Sequence, residues 1–342
     1  MGAEQLPNAQ MGIAFSGRLC QSVSRMISKR TFILAGLLAL ACAPWGTAQD
    51  LAPKRFEFAD GDRLVLLGNT VMEREQRYAC LEPMLALALG EKHITVRNLA
   101  WSGDTVYGHA RSYFGPPEEG LKRLEAHLEL LKPTVVILCY GSEMAFERLG
   151  GLPEFLTAYR KLLDLIREKS PKVRVVIATP PPLETLAPPL PDQTDANRNL
   201  SSLRDALKKF ALTQNATFVD WFEAMGGVPK GGVVSKPLTE NGVHYTAAGY
   251  EVLARRLIEG LGLTVPAYSA APFEALRHEV LKKDELFFNR WRPHNETYLF
   301  GFRKHEQGQN AKEIPMFDPL IEEADKRIQK AKADVLSNPA RL

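Results

Sequence analysis

The sequence is poor in cysteine, with four among 342 residues, and it has no internal repeat and no low-complexity tract. So few cysteines exclude a small fold held together by several disulfides. No charge of one sign dominates, with 43 basic against 40 acidic residues. Residues 1–48 carry four basic residues and one acidic residue, which leaves 39 of each sign in the rest. The bulk charge therefore gives no indication of nucleic-acid binding.

Long apolar runs are also missing, since none reaches the roughly 20 residues of a confident membrane span. A shorter run at residues 31–42 follows Lys29 and Arg30 and precedes the small residues at 46–48. This pattern predicts a secretory signal peptide at 26–48, with an upstream extension at 1–25. The mature chain is then expected in the periplasm or outside the cell, without a membrane span. A lipoprotein anchored through Cys42 remains an alternative.

Two cysteines, Cys20 and Cys42, would leave with the leader. Cys80 and Cys139 would remain in a compartment that permits a disulfide, and the sequence does not decide whether they pair. Cys139 ends an apolar run typical of a strand, so we expect a packed thiol there.

Five short apolar runs recur along the remaining chain and begin 30, 40, 39 and 44 residues apart. They cover residues 64–67, 94–100, 134–140, 173–178 and 217–221. Amphipathic helical patterns separate them. Such alternation predicts a parallel sheet covered on both faces, which is an α/β/α sandwich. We place this domain at residues 50–265 and a C-terminal helical, aromatic-rich extension at 266–342.

Polar residues and glycines follow these runs. Right-handed crossovers bring the carboxyl ends of parallel strands to one edge of a sheet, where ligands bind. The segments expected there are GNT at 68–70, WSGD at 101–104, GSE at 141–143 and TPPP at 179–182. The loop before the last helix of the domain reads ENGVH at 240–244. A functional site is therefore predicted at this edge.

These blocks, over roughly residues 60–263, resemble those of the SGNH, or GDSL-like, hydrolases. The resemblance implies a flavodoxin-like three-layer sandwich with a five-stranded parallel sheet, and ester hydrolysis through an acyl-enzyme. In that family a Ser after the first strand is the nucleophile, and a Gly and an Asn form the oxyanion hole. An Asp three residues before a His orients that base. We expect no metal and no cofactor.

Carried onto this sequence, the resemblance assigns the nucleophile to Thr70, preceded by Asn69, and the base to His244. Gly103 matches the oxyanion glycine. Glu143 stands where the family has Asn, and Asn241 stands where it has Asp.

Each assignment has a structural alternative. Residues 70–73 also match a capping box, in which Thr70 only begins a helix, and its branched Cβ crowds an attack path. His244 is the base or only packs near a helix start. Asn241 can orient the ring by accepting from its N–H through the amide oxygen, but it lacks the charge that stabilises an imidazolium. The neighbouring Glu240 carries a charge.

The oxyanion side also departs from the family. An ionised Glu143 repels an oxyanion, so it is protonated in a dry site, points elsewhere, or the site binds no oxyanion. Ser142 is a shorter alternative donor. Gly103 equally suits a turn, and Trp101 is either a pocket wall or part of the core. The aromatic residues at 286–305 either form a lid or anchor the C-terminal segment.

Two functions are thus predicted. The first is an exported ester hydrolase that acts on O-acyl groups of a small molecule or polysaccharide through a Thr/His acyl-enzyme, with acyl transfer as a variant. The second is a catalytically impaired relative that binds carbohydrate or another ligand. No nucleic-acid partner is expected, and the oligomeric state stays open.

Overall fold

The centre of the fold is a five-stranded parallel sheet. Its strands are β1 (Asp62–Gly68), β2 (Ile94–Asn98), β3 (Val135–Cys139), β4 (Arg174–Ala178) and β5 (Thr217–Val219). They lie in the order β2-β1-β3-β4-β5, and Leu64 of β1 is in register with Val96 of β2 and Val135 of β3. This confirms the predicted α/β/α sandwich, and the strand order is that of flavodoxin-like folds.

The computed structural model describes residues 55–113, 115–147, 149–229 and 231–340. The upstream extension predicted at 1–25, the signal peptide at 26–48 and Cys42 lie outside these ranges. None of the helices within them is long and apolar enough to cross a membrane.

Helices connect the strands and cover both faces of the sheet. They are α1 (Thr70–Tyr78), α2 (Leu81–Ala88), α3 (Pro117–Leu131), α4 (Leu152–Lys169), α5 (Thr194–Thr213), α6 (Trp221–Ala224), α7 (Ala247–Gly260), α8 (Ala270–Trp291), α9 (Glu296–Leu299), α10 (Lys304–Gln307) and α11 (Phe317–Ser337). Short 3₁₀ helices lie at His109–Arg111, Ser142–Ala145, Leu149–Gly151 and Gly308–Met316.

The sequence of β3 shows why both faces are covered. The strand reads VVILC, and all five side chains are buried. Val135 and Ile137 face one apolar cluster, and Val136 and Leu138 face the other, because successive side chains of a strand alternate. Cys139 is a buried free thiol, which confirms the packed thiol, and Cys80 is buried and free as well.

The C-terminal segment adds two long helices to this core. α8 and α11 pack against each other, and α8 also contacts α1, α2 and β2. Phe273 and Leu276 of α8 and Ile328 of α11 belong to the same buried cluster as Leu64 of β1. The segment after residue 265 is therefore continuous with the apolar core of the sandwich.

The first half of the aromatic stretch supports the anchor alternative, and no residue of the stretch lines the cleft described below. Phe287 and Trp291 are buried in the core, so the first half anchors the segment. Phe300 and Phe302 are exposed. They lie beside Tyr113 in a separate surface pocket.

A buried ion cluster joins α8 to α2. The Lys283 ammonium has no exposed surface, and it donates to Glu82 Oε2 and to Asp284 Oδ1, each at 2.6 Å. It also donates to the Val96 carbonyl oxygen at 3.1 Å. Because a buried ammonium is costly unless its donors are satisfied, breaking this cluster is expected to destabilise the packing of α8 on the sandwich.

Candidate active site

A cleft of about 180 Å³ lies at the carboxyl-end edge of the sheet. Every block that the sequence placed at this edge contributes to its wall. The predicted site residues in the wall are Asn69, Thr70, Gly103, Ser142, Glu143 and His244. The topology thus brings together residues that lie up to 175 positions apart in the sequence.

Thr70 occupies the first turn of α1, directly after β1. Its Oγ1 accepts a hydrogen bond from the Gly103 N–H at 3.3 Å. The predicted capping box is wrong, since Asn69 is the N-cap residue and no side chain caps the helix. The physical reason is that Glu73 turns away from the helix start and accepts from the Ser102 N–H at 2.8 Å instead.

Asn69 is buried in the cleft wall. Its Oδ1 has no hydrogen-bond partner among the residues that the structure describes. Asn69 therefore contributes an unsatisfied acceptor at the position before Thr70.

The Gly103 loop is held by Glu73 of α1, which also pairs with an arginine of the C-terminal segment. Glu73 accepts from both the N–H and the hydroxyl of Ser102, and its other carboxylate oxygen pairs with Arg292 at 2.7 Å. The Arg292 guanidinium in turn lies 3.6 Å from the centre of the Trp101 ring. Trp101 thus does not line the cleft, because Arg292 and Trp291 enclose its ring, and it belongs to the core alternative.

The loop that carries His244 is fixed to the segment after β4. The Glu184 carboxylate accepts from the N–H of Leu238 at 3.0 Å and from the N–H and hydroxyl of Thr239 at 2.7 and 2.6 Å. The Tyr245 hydroxyl donates to the Pro182 carbonyl oxygen at 2.6 Å. The position of His244 is therefore defined before any ligand binds.

Gly242 closes this loop, and we expect Gly242→Ala to lower the free energy of unfolding by about 2–3 kcal/mol. Its φ is +86°, and a Cβ there would lie 2.6 Å from the Glu184 carbonyl oxygen. Gly226→Ala is the matched control, because φ is +111° but a Cβ would meet nothing within 4 Å. Urea unfolding of both variants isolates the steric clash, and equal losses would contradict this account.

The His244 ring meets an amide on one side. Asn241 Nδ2 lies 3.0 Å from Nδ1, while Asn241 Oδ1 accepts from the N–H of Val243 at 3.1 Å and of His244 at 2.8 Å. The expectation that the amide oxygen accepts from the ring therefore needs correction, because the turn itself occupies that oxygen. Glu240 Oε1 is 4.0 Å from Nδ1, but it pairs with Arg74 at 2.8 Å.

Charge and burial both act on this histidine. Burial lowers the pKa of His244 below its usual value, the nearby Arg74 adds to this effect, and Glu240 opposes it. The neutral imidazole is therefore favoured. Arg74 also lines the cleft. The sequence analysis missed it, although its i,i+4 spacing from Thr70 on α1 was a usable signal.

Glu143 lies in the cleft wall on the 3₁₀ helix Ser142–Ala145. Burial raises the pKa of its carboxyl to about 7, and the negative charges of Glu147 and Asp104 contribute, while hydrogen bonds to the backbone of Glu143 and Gly141 oppose the rise. Of the three alternatives for Glu143, the structure thus supports a carboxyl inside the cleft that takes up a proton near neutral pH. Ser142 lies in the same wall.

Asp104 is the second acidic residue of the wall, and its carboxylate pairs with a buried arginine. Its Oδ2 accepts from Arg111 Nε at 2.7 Å and from the Tyr140 hydroxyl at 3.3 Å, and all three side chains are buried. Within the described ranges, no group of three or more His, Cys, Asp or Glu residues is arranged to hold a metal ion.

The comparison with known families decides the class of this site. The model of the GDSL-like lipase/acylhydrolase family matches residues 67–252. The chain belongs to this family. This GDSL-family assignment confirms the resemblance drawn from the four sequence blocks, and it supports an ester hydrolase. The match ends before α8, so the C-terminal helices lie outside the matched region.

Solved structures similar to this GDSL-family protein are distant. A gut microbial diltiazem-metabolizing enzyme is 19% identical over 62% of this chain and 49% of its own, with a TM-score of 0.48. The chain thus spans about half the length of that enzyme. A catalytic mutant of Axe2, an acetylxylan esterase from Geobacillus stearothermophilus, is 21% identical over 60% of this chain and 97% of its own, with a TM-score of 0.44. Curated protein sequences give no match.

Proposed function

We propose that this protein is an exported hydrolase that removes O-acyl groups from a small-molecule or polysaccharide ester, with Thr70 as the nucleophile. The observation that carries the proposal is the contact of the Thr70 hydroxyl with the Gly103 N–H, in the cleft that His244 also lines. A nucleophile needs such a donor beside it, because the oxygen of the attacked carbonyl becomes an anion there.

The position of Thr70 suits attack on an ester carbonyl. It follows β1 directly, so its N–H is the first of α1 and has no acceptor inside the helix. A carbonyl carbon bonded to Thr70 Oγ1 would bring its oxygen within reach of the Gly103 N–H. Oγ1 displaces the alcohol to give an acyl-enzyme, and water then releases the acid.

The cleft also supports a small acyl group as the part of the substrate that enters. Its volume of about 180 Å³ is modest. Apolar side chains of Val71, Leu183 and Val243 contribute to the wall, beside the charged groups of Arg74 and Glu143. The leader predicted at residues 26–48 favours an acyl ester outside the cytoplasm, such as an O-acylated polysaccharide.

Replacing the Thr70 hydroxyl by a methyl group tests this proposal. We expect Thr70→Val to lower kcat/KM by about 10³-fold or more on p-nitrophenyl acetate and acetylated oligosaccharides, since the nucleophile is lost while the side-chain shape is kept. Thr70→Ser should retain activity. Thr157→Val removes a threonine hydroxyl on the exposed side of α4, outside the cleft wall, and should leave kcat/KM unchanged. Undiminished hydrolysis by Thr70→Val would refute the nucleophile.

One observation favours a second candidate, a binding protein. Asn241 offers an N–H rather than a carboxylate to the imidazole, so the stabilisation of an imidazolium expected in an acyl hydrolase is missing. Calorimetric titration of the wild-type chain with acetylated and deacetylated oligosaccharides tests this function. Binding without turnover of any ester would establish it in place of the hydrolase.

A further inference from the structure

The amide of Asn241 has only one consistent orientation. Its Oδ1 accepts two backbone N–H groups, those of Val243 and His244. Exchanging the amide oxygen and nitrogen would place the NH₂ group against both backbone N–H donors. Two hydrogen bonds would be lost and only one, to the ring, would be gained. The hydrogen-bond network therefore fixes Nδ2 toward His244 Nδ1 at 3.0 Å.

This orientation selects the imidazole tautomer. Nδ1 must be the acceptor because it faces an N–H donor, so in the neutral ring the proton is on Nε2. A general base needs the opposite arrangement, with Nε2 free to take a proton. Protonation at Nδ1 would direct an N–H at the amide NH₂ beside Arg74. His244 is thus built to donate from Nε2.

The cleft contains a carboxyl group that can act as the general base in place of His244. Glu143 lies in the wall, on a 3₁₀ helix whose last residue is held by Asn199, which donates to the Ala145 carbonyl oxygen at 3.1 Å. The charged groups that face its carboxyl are Glu147 and Asp104, and both favour proton uptake by Glu143. The phenol of Tyr107 also lies within electrostatic range of Glu143 and Glu147.

The two departures from the family are complementary. In the family the amide stands on the oxyanion side and the carboxylate stands beside the histidine. Here Asn241 places an amide beside the histidine, and Glu143 places a carboxylate on the oxyanion side. We propose that Glu143 is the general base and that His244, held by the positioning residue Asn241 as its Nε2–H tautomer, donates a hydrogen bond to the oxyanion. This inference rests on the proposed ester hydrolysis.

The steps balance without any further cofactor. The Glu143 carboxylate takes the proton of the Thr70 hydroxyl as Oγ1 bonds to the carbonyl carbon. The Gly103 N–H and the His244 Nε2–H donate to the oxyanion. The alcohol oxygen then leaves with the proton from Glu143. In the second half, Glu143 takes a proton from water as the water oxygen bonds to the acyl carbon. The bond from that carbon to Thr70 Oγ1 then breaks, and Oγ1 takes the proton back from Glu143.

The tautomer can be measured without any activity. Long-range ¹H–¹⁵N NMR of the ¹⁵N-labelled chain should show Nδ1 of His244 unprotonated and Nε2 protonated at pH 8. His244→Gln assigns the signals. In Asn241→Asp the proton should move to Nδ1, because a carboxylate accepts it. A wild-type ring protonated on Nδ1 would overturn the role given to Asn241 and His244.

Kinetics test the base. We expect Glu143→Gln to lower kcat by about 10²–10⁴-fold, because a general base is lost. In the wild type kcat/KM should rise with pH through a pKa near 7, which is that of Glu143, and the Glu143→Gln variant should lack this rise.

Asn241→Asp alone should lower kcat at least tenfold through loss of the Nε2–H donor. The double change Glu143→Asn with Asn241→Asp, which restores the family arrangement, should recover activity.

Matched controls separate the two proposals. Asp164→Asn removes an exposed carboxylate of α4 that does not line the cleft and should leave kcat unchanged, and circular dichroism checks that each variant folds. Hydrolysis that depends on Thr70 but is unaffected by Glu143→Gln, or that rises in Asn241→Asp alone, overturns the exchange of roles only. Absence of hydrolysis in the wild type overturns the proposed function and the base role with it, while the NMR result still stands by itself.

Discussion

Replacing Lys283 with methionine is expected to lower the free energy of unfolding by about 3–5 kcal/mol. Lys283 is fully buried, and its ammonium is the shared partner of Glu82 and Asp284. Its removal leaves two carboxyl groups facing each other in a site where burial already raises the pKa of both. They cannot be rehydrated without separating α8 from α2. Urea denaturation at pH 7, followed by circular dichroism, measures the loss.

The neighbouring lysine supplies the control. Lys282 pairs with Glu279 on the exposed side of α8, and half of its side chain is accessible to solvent. Lys282→Met should therefore change the free energy of unfolding by at most about 0.5 kcal/mol. If the two variants were equally stable, the buried cluster would contribute nothing net. A triple change of Lys283, Glu82 and Asp284 to apolar residues should recover much of the loss, because an ion cluster can be replaced by packed side chains.

The fold could be predicted from the sequence because short apolar runs recur along it at regular intervals. Runs such as VVILC at 135–139 are apolar without a break, which only a strand buried on both faces requires. Their spacing left room for a helical crossover between successive strands. The position of the C-terminal helices was not predictable in this way. α8 mixes apolar and charged residues, and its buried residues include a charged one, Lys283.

The sequence predicted which residues lie at the site but not how their side chains are oriented. The blocks around Thr70, Gly103, Glu143 and His244 had to meet, because the carboxyl ends of parallel strands share an edge. Which end of an amide faces a ring depends on local backbone donors, and a sequence does not display these. The same limit explains the incorrect capping box, since Glu73 finds a better partner in Ser102 than in its own helix start.

Glu73 leads to the second large effect. Glu73→Ala should lower kcat/KM of the proposed hydrolysis by about 10²-fold, because the Ser102 N–H loses its acceptor and the adjacent Gly103 N–H is no longer held against Thr70. It should also lower the free energy of unfolding by about 2–3 kcal/mol, since the guanidinium of Arg292 is left without its carboxylate. Assays well below the unfolding temperature separate the two losses.

Two further variants decide whether Glu73 acts on the loop or only on stability. Arg292→Met leaves the bonds between Glu73 and Ser102 in place, so stability should fall while kcat/KM changes less than in Glu73→Ala. Asp318→Ala removes the carboxylate partner of Arg290, which lies two residues before Arg292. The Asp318 side chain is 47% exposed against 11% for Glu73, and this variant should leave kcat/KM unchanged. If all three variants lost activity in proportion to stability, Glu73 would only support the fold. A loss confined to Glu73→Ala means that Glu73 of α1 sets the position of the oxyanion donor through Ser102, whereas a loss shared with Arg292→Met means that the C-terminal segment, although outside the matched family region, takes part in it.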